Sequence, residues 1–155
     1  MTHTLLFVAL VLTASGAEQH QHAQSQDRAH QGMGFDQQKT THHFLIHKTG
    51  GTIEVTAKDA NDTVSTDEIR THLRHIASAF AHGDFTLPMF VHDTEPPGVP
   101  VMKERRAQLT FRFEEIPAGG KVVIQTADTA AREALHDFLR FQIREHRTGD
   151  PMTPR

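Results

Sequence analysis

The chain of 155 residues contains no cysteine, no tryptophan and no tyrosine. Without cysteine there are no disulfides, no thiolate metal sites and no cysteine nucleophile, so imidazole, carboxylate and thioether remain as ligands. It also lacks an excess of one charge: 16 basic and 19 acidic side chains give a formal net charge of -3. The dense positive surface that nucleic acid requires is therefore absent, and no nucleic-acid partner is expected. Nor is there a long apolar run. Residues 5–12, LLFVALVL, fall far short of the ~20 that cross a bilayer as a helix, so no membrane span is expected.

Histidine is abundant, with thirteen residues. The short apolar run near the N-terminus precedes Ala14, Ser15, Gly16 and Ala17, small residues that suit a signal peptidase. Residues 1–17 are thus read as a signal peptide, though with His3 in place of the usual Lys or Arg, and the expected location is periplasmic or secreted. Residues 18–39, rich in Gln and His with scarcely an apolar side chain, read as a disordered leader. Within it His20 and His22 form a secondary, weak metal site, with a plain solubilising tether as the equal alternative. A single domain is expected over 40–151, the length of one core.

From residue 42 the chain repeats a pattern. "HHFLIHKTGGTIEVTAKD" and "LTFRFEEIPAGGKVVIQTAD" both alternate apolar residues around a Gly-Gly pair, a hairpin signature. Each then enters an amphipathic helix with apolar residues at helical spacing: Ile69, Leu73, Ile76 and Phe80 in the first, Leu135, Phe138, Leu139 and Ile143 in the second. Ser65 or Thr66, followed by Asp67 and Glu68, is expected to cap the first helix. The segments 72–84, HLRHIASAFAHGD, and 138–150, FLRFQIREHRTGD, align without a gap. The expected fold is α+β and two-layer: duplicated ββα units (42–84 and 109–150) form a four-stranded, mainly antiparallel sheet with two helices on one face. The long joining segment should be functional or disordered.

Placed on this frame, His72 and His75 make one stripe at the flank of the first helix's apolar face, where the second helix has Phe138 and Phe141. An imidazole in place of a phenyl loses apolar burial, which a bound ligand would offset. His42 shares a strand face with Phe44 and Ile46, while His92 and Met89 arrive from the joining segment. The expected metal site is therefore His72, His75, His92, Met89 and His42. Neutral imidazole suits copper or zinc, with haem iron a lesser alternative, and Met89 and Met102 favour Cu(I). The plain reading is that these are hydrogen-bonded or solvated side chains. His82 reads as a helix C-terminal residue, His136 and His146 as surface or packing residues, and His43 and His47 as facing solvent from the opposite strand face. No nucleophile elbow and no phosphate loop is present, so no catalytic residue is assigned.

The stretches "TTHHFLI", "GGTIEV", "FTLPMFVHD", "PPGVPVM" and "HDFLRFQIREHRTGDP" together resemble a group of small secreted bacterial proteins, some labelled aspartate carbamoyltransferase. The chain is shorter than such a catalytic subunit and has no Ser-Thr-Arg-Thr loop to hold carbamoyl phosphate. The resemblance implies the domain limits and export, and no reaction. The functional expectation is a secreted or periplasmic copper or zinc buffer, carrier or sensor. The alternatives are a small ligand- or haem-binding domain or enzyme, and a dimerisation module using the uncovered sheet face.

Overall fold

The computed structural model describes residues 32–155. The expected signal peptide, His20, His22 and most of the leader lie outside the described residues. The packed region begins earlier than residue 40, because Phe35 is 3% exposed and belongs to the core.

Two ββα units follow one another. Strands β1 (Thr40–His47) and β2 (Gly50–Ala57) lead into helix α1 (Thr63–Ala81); β3 (Thr110–Ile116) and β4 (Gly119–Gln125) lead into α4 (Thr129–His146). The strands form one antiparallel sheet of order β1-β2-β4-β3. At its centre Ile53 faces Val122. Each holds the same place in its own hairpin, opposite Phe44 and Phe113 respectively, so a local twofold axis passes through this pair.

Strand alternation puts Phe44, Ile46, Ile53, Val55, Val122 and Ile124 on one face, where all are buried. Both long helices lie on that face, and their apolar stripes share its single core. Each apolar side chain removed from water there contributes about 1.5–3 kcal/mol. The helices cross over: α1 packs mainly on β3 and β4, and α4 on β1 and β2, so each covers the other unit's hairpin.

Two local readings are corrected. The Gly-Gly pairs are not the hairpin turns, which fall at 48–49 and 117–118; they open β2 and β4. A Cβ on Gly50 would strike the Ile124 carbonyl oxygen, and one on Gly119 would strike that of Val55. The central strands approach too closely there for a side chain. The N-cap of α1 is Asp62, accepting from the Ser65 amide at 3.0 Å, rather than Ser65 or Thr66. Asp128 does the same for α4 through the Ala131 amide at 2.8 Å.

The joining segment is ordered as two short helices, α2 (Thr86–His92) and α3 (Val99–Glu104). Phe85, Val99 and Met102 tie it to the core. Met102 is 0% exposed, packed among apolar neighbours. No described helix is long and apolar enough to cross a membrane.

The outer edge of β1 is covered by the C-terminal residues: the Phe44 amide donates to Asp150 Oδ2 at 2.9 Å, and the Arg155 amide to the Ile46 carbonyl at 3.0 Å. Among the described residues the exposed large apolar side chains are Val64, Phe90 and Met152, none on a strand. The uncovered sheet face carries half-buried Leu45 and Val123 among the charged side chains of Glu54, Arg112, Glu114 and Lys121.

Candidate functional site

Alternation along β1 and the crossing of the helices decide which histidines meet. His42 points to the core face of β1, beneath the C-terminal end of α4, and its ring stacks on His146 with centroids 5.6 Å apart. His146 in turn meets His92, the last residue of α2, edge to face at 5.2 Å. On the other side Phe35 stacks on His42 at 5.6 Å and meets His72 of α1 edge-on at 5.3 Å. All four imidazoles and Gln142 line one cavity whose remaining wall is apolar, with Phe44, Val55, Leu73, Val91 and Phe138 among its residues.

The empty space, mouth included, is about 490 Å³, of which about 60 Å³ is open to the centre of a water-sized sphere. One water needs about 10–15 Å³ on that measure, so several waters or one slender molecule would fit.

The polar groups here are incompletely satisfied. Gln142, 4% exposed on α4, bonds His92 Nε2 through its amide oxygen at 3.0 Å. That oxygen accepts, so His92 Nε2 carries the proton. The Gln142 Nε2 amide has no partner, and neither does His42 Nε2. Turning the amide over would only exchange which of its two atoms is left unbonded. An unpaired buried donor costs about 1–3 kcal/mol, and at a cavity wall a bound molecule can offset it.

Burial also fixes the charge of the cluster. Burial foremost, with neighbouring His43 adding to it, lowers His42 from 6.5 to about 4. Burial, then His42 and His75, takes His72 to about 4. Burial, then His42 and His92, takes His146 to about 3. These three rings are neutral at pH 7.

Of the residues expected from the sequence, the fold thus brings His42, His72 and His92 to one cavity. His75 and Met89 are not there. His75 is exposed on the solvent side of α1, one step round from His72, and the Met89 sulfur lies 3.9 Å from Lys103 Nζ. Among the described residues no three His, Asp or Glu side chains already converge as a metal site.

His146 and Gln142 were the residues missed. The signal was present: the alignment that sets His72 over Phe138 also sets His146 over Phe80 and Gln142 over Ile76. Both are polar residues at positions where the twin unit is apolar. His136 is a packing residue as expected, 7% exposed, its Nε2 shared between the His47 and Gly50 carbonyls at 3.0 and 3.1 Å. His82 sits at the α1 C-cap, with Nδ1 2.7 Å from the Ser78 carbonyl. His43 is only half solvent-facing, since Asp150 Oδ1 holds its Nδ1 at 2.9 Å.

Comparison of the chain with family models, with curated proteins and with solved structures returns no match.

Proposed function

We propose that this domain is a binding protein for a small, uncharged and largely apolar molecule bearing one hydrogen-bond acceptor. The observation that carries this reading is the pair of unpaired polar atoms, Gln142 Nε2 and His42 Nε2, set in the wall of an otherwise apolar cavity. Apolar lining with a few convergent polar groups is the usual make-up of a ligand pocket. No Lys or Arg lines the cavity and three of its imidazoles are neutral, so an anion would find no counter-charge.

The test compares benzyl alcohol with toluene, alike in shape but differing in the oxygen, by the rise each causes in the thermal midpoint. The alcohol should stabilise the parent more than toluene does, and Gln142→Leu should remove that preference. If neither compound shifts the midpoint, or if the preference survives in Gln142→Leu, the reading fails.

A second reading, binding of copper or zinc, is favoured by the same neutral rings, since only unprotonated imidazole ligates. Haem is the weakest of the three cofactor readings, because the space between the walls is narrow. Export to the periplasm or beyond belongs with the ion reading as a buffer, carrier or sensor. The short apolar run before the small residues Ala14, Ser15, Gly16 and Ala17 is what supports it.

A further inference from the structure

We propose that strand β3 is a self-association surface, along which two copies of this chain join antiparallel, about a twofold axis, into one continuous sheet. This surface is separate from the pocket, since no residue of β3 lines the cavity.

The local twofold within the chain makes the case. Backbone bonds just beyond the strands, from the Lys58 amide to the Lys39 carbonyl and from the Ala57 amide to the Ala118 carbonyl, both at 2.8 Å, fix the alternation along the ladders. His42, Phe44 and Ile46 of β1 therefore turn their amides and carbonyls away from the sheet, and so do Phe111, Phe113 and Glu115 of β3. On β1 the chain covers these groups itself: the Phe44 amide goes to Asp150, and the Ile46 carbonyl takes the Arg155 amide. The matching groups of β3, the Phe113 amide and the Glu115 carbonyl, have no such partner among the described residues. An uncovered edge of seven residues carrying two half-buried phenylalanines is a template for a further strand.

Charge selects the partner and the register. Self-pairing centred on Phe113 sets Arg112 of each copy opposite Glu114 of the other, with Thr110 opposite Ile116 and the two Phe113 rings side by side on the helix face. Arg112 and Glu114 then occupy non-hydrogen-bonded positions, where facing side chains stand closest. Centring on Arg112, Glu114 or Glu115 would instead set like charges directly opposite, which is destabilising. Centring on Phe111 would run past the start of β3 and leave residues 113–116 without strand partners. Arg74 already lies over the Phe113 ring, 4.7 Å from its centre, so the paired rings would be covered by one guanidinium from each copy. The same strand presented twice is the isologous contact of a twofold dimer.

The test is sedimentation equilibrium of the full chain over a concentration series, with hydrogen exchange to place the contact. The parent should dimerise, and its Phe111, Phe113 and Glu115 amides should gain protection as concentration rises. Arg112→Glu and Glu114→Arg should each weaken self-association by ~100-fold, because each puts two like-charge pairs across the axis. Mixing the two variants should restore a dimer, since Glu then faces Arg at both positions. The Arg112 and Glu114 side chains are 67% and 34% exposed, and circular dichroism checks that each variant folds. If either does not, the concentration dependence of the three amides in the parent still decides. A monomeric parent, a dimer whose β3 amides exchange freely, or a mixture of folded variants that stays monomeric would overturn the proposal. The first of these would leave the edge to an extended segment of a different protein.

Discussion

The two places where a strand passes beneath the C-terminal half of a helix are related by the local twofold, yet they are built from different chemistry. Counted from the capping aspartates Asp62 and Asp128, Phe80 of α1 and His146 of α4 hold the same helical position. Phe111, opposite Ile124, and His42, opposite Val55, hold the same strand position. One corner is therefore Phe80 against Phe111 at 6.0 Å, joined by Phe85 and Phe138. The other is His146 against His42 at 5.6 Å, joined by His92 and a cavity. A fold that can fill such a corner with phenyl rings does not need imidazoles there for stability. The difference is that one corner is closed by packed phenyl rings and the other keeps imidazoles beside a cavity, which is the feature on which the proposed binding function rests.

The most severe way to break the comparison is to make the packed corner resemble the open one. Phe80→His should destabilise by about 3 kcal/mol, since a 2%-exposed ring with three aromatic neighbours would become a buried, unpaired polar group. Urea unfolding measures this. A loss below about 1 kcal/mol would mean that the two corners are interchangeable.

A pH series sharpens it next. His42, His72 and His146 bind protons in the unfolded chain near pH 6.5 but in the folded one only near 4, 4 and 3. Below pH 6.5 the unfolded state thus carries the extra protons, and stability falls as pH drops, by up to about 1.4 kcal/mol per pH unit for each ring. The loss should run from about pH 6.5 to 4 for His42 and His72 and on to about 3 for His146, and the slope should flatten in His42→Phe/His146→Phe. An unchanged slope in that variant would assign the pH dependence elsewhere.

The matched aspartates after the two helices should differ less. Asp150→Ala loses the His43 ring, the Phe44 amide and the Thr148 hydroxyl, and should destabilise by about 2 kcal/mol; Asp84→Ala, at an exposed residue that holds only the Thr86 amide and hydroxyl of its own loop, should cost clearly less. Denaturant midpoints of the two variants check the order. Smallest of all, His75→Ala and Met89→Leu should stay within about 0.5 kcal/mol of the parent.

The pairing of hairpins with helices was legible because periodicity 2 and then 3.6 is written plainly twice, and the Gly-Asp pairs kept the helices in register. The exchange of His72 for Phe138 was legible for the same reason. The partners of His72 were not. An α-helix places residues three apart on neighbouring lines of its surface, which made His75 look like a co-ligand, but a turn of some 300° carries it round to solvent. His146 reaches the cavity through the crossing of α4 onto β1, a contact spanning most of the chain. Its alignment with Phe80 was available, yet a histidine beside Arg and Glu at a helix end reads first as a surface residue. The glycines misled for a related reason: Gly-Gly signals a turn locally, whereas here it answers to a neighbouring strand from the other unit.

The most direct test is a methyl NMR titration of benzyl alcohol into the parent and into His42→Phe/His146→Phe. Saturable shifts are expected in the parent at Leu73, Ile76 and Val91, with none at Val123 on the opposite sheet face, and no binding is expected once phenyl rings fill the corner. Equal binding by the double variant, or shifts centred on the Ile124 methyls opposite Phe111, outside the cavity lining, would show that the imidazole corner is only another way of packing the same fold.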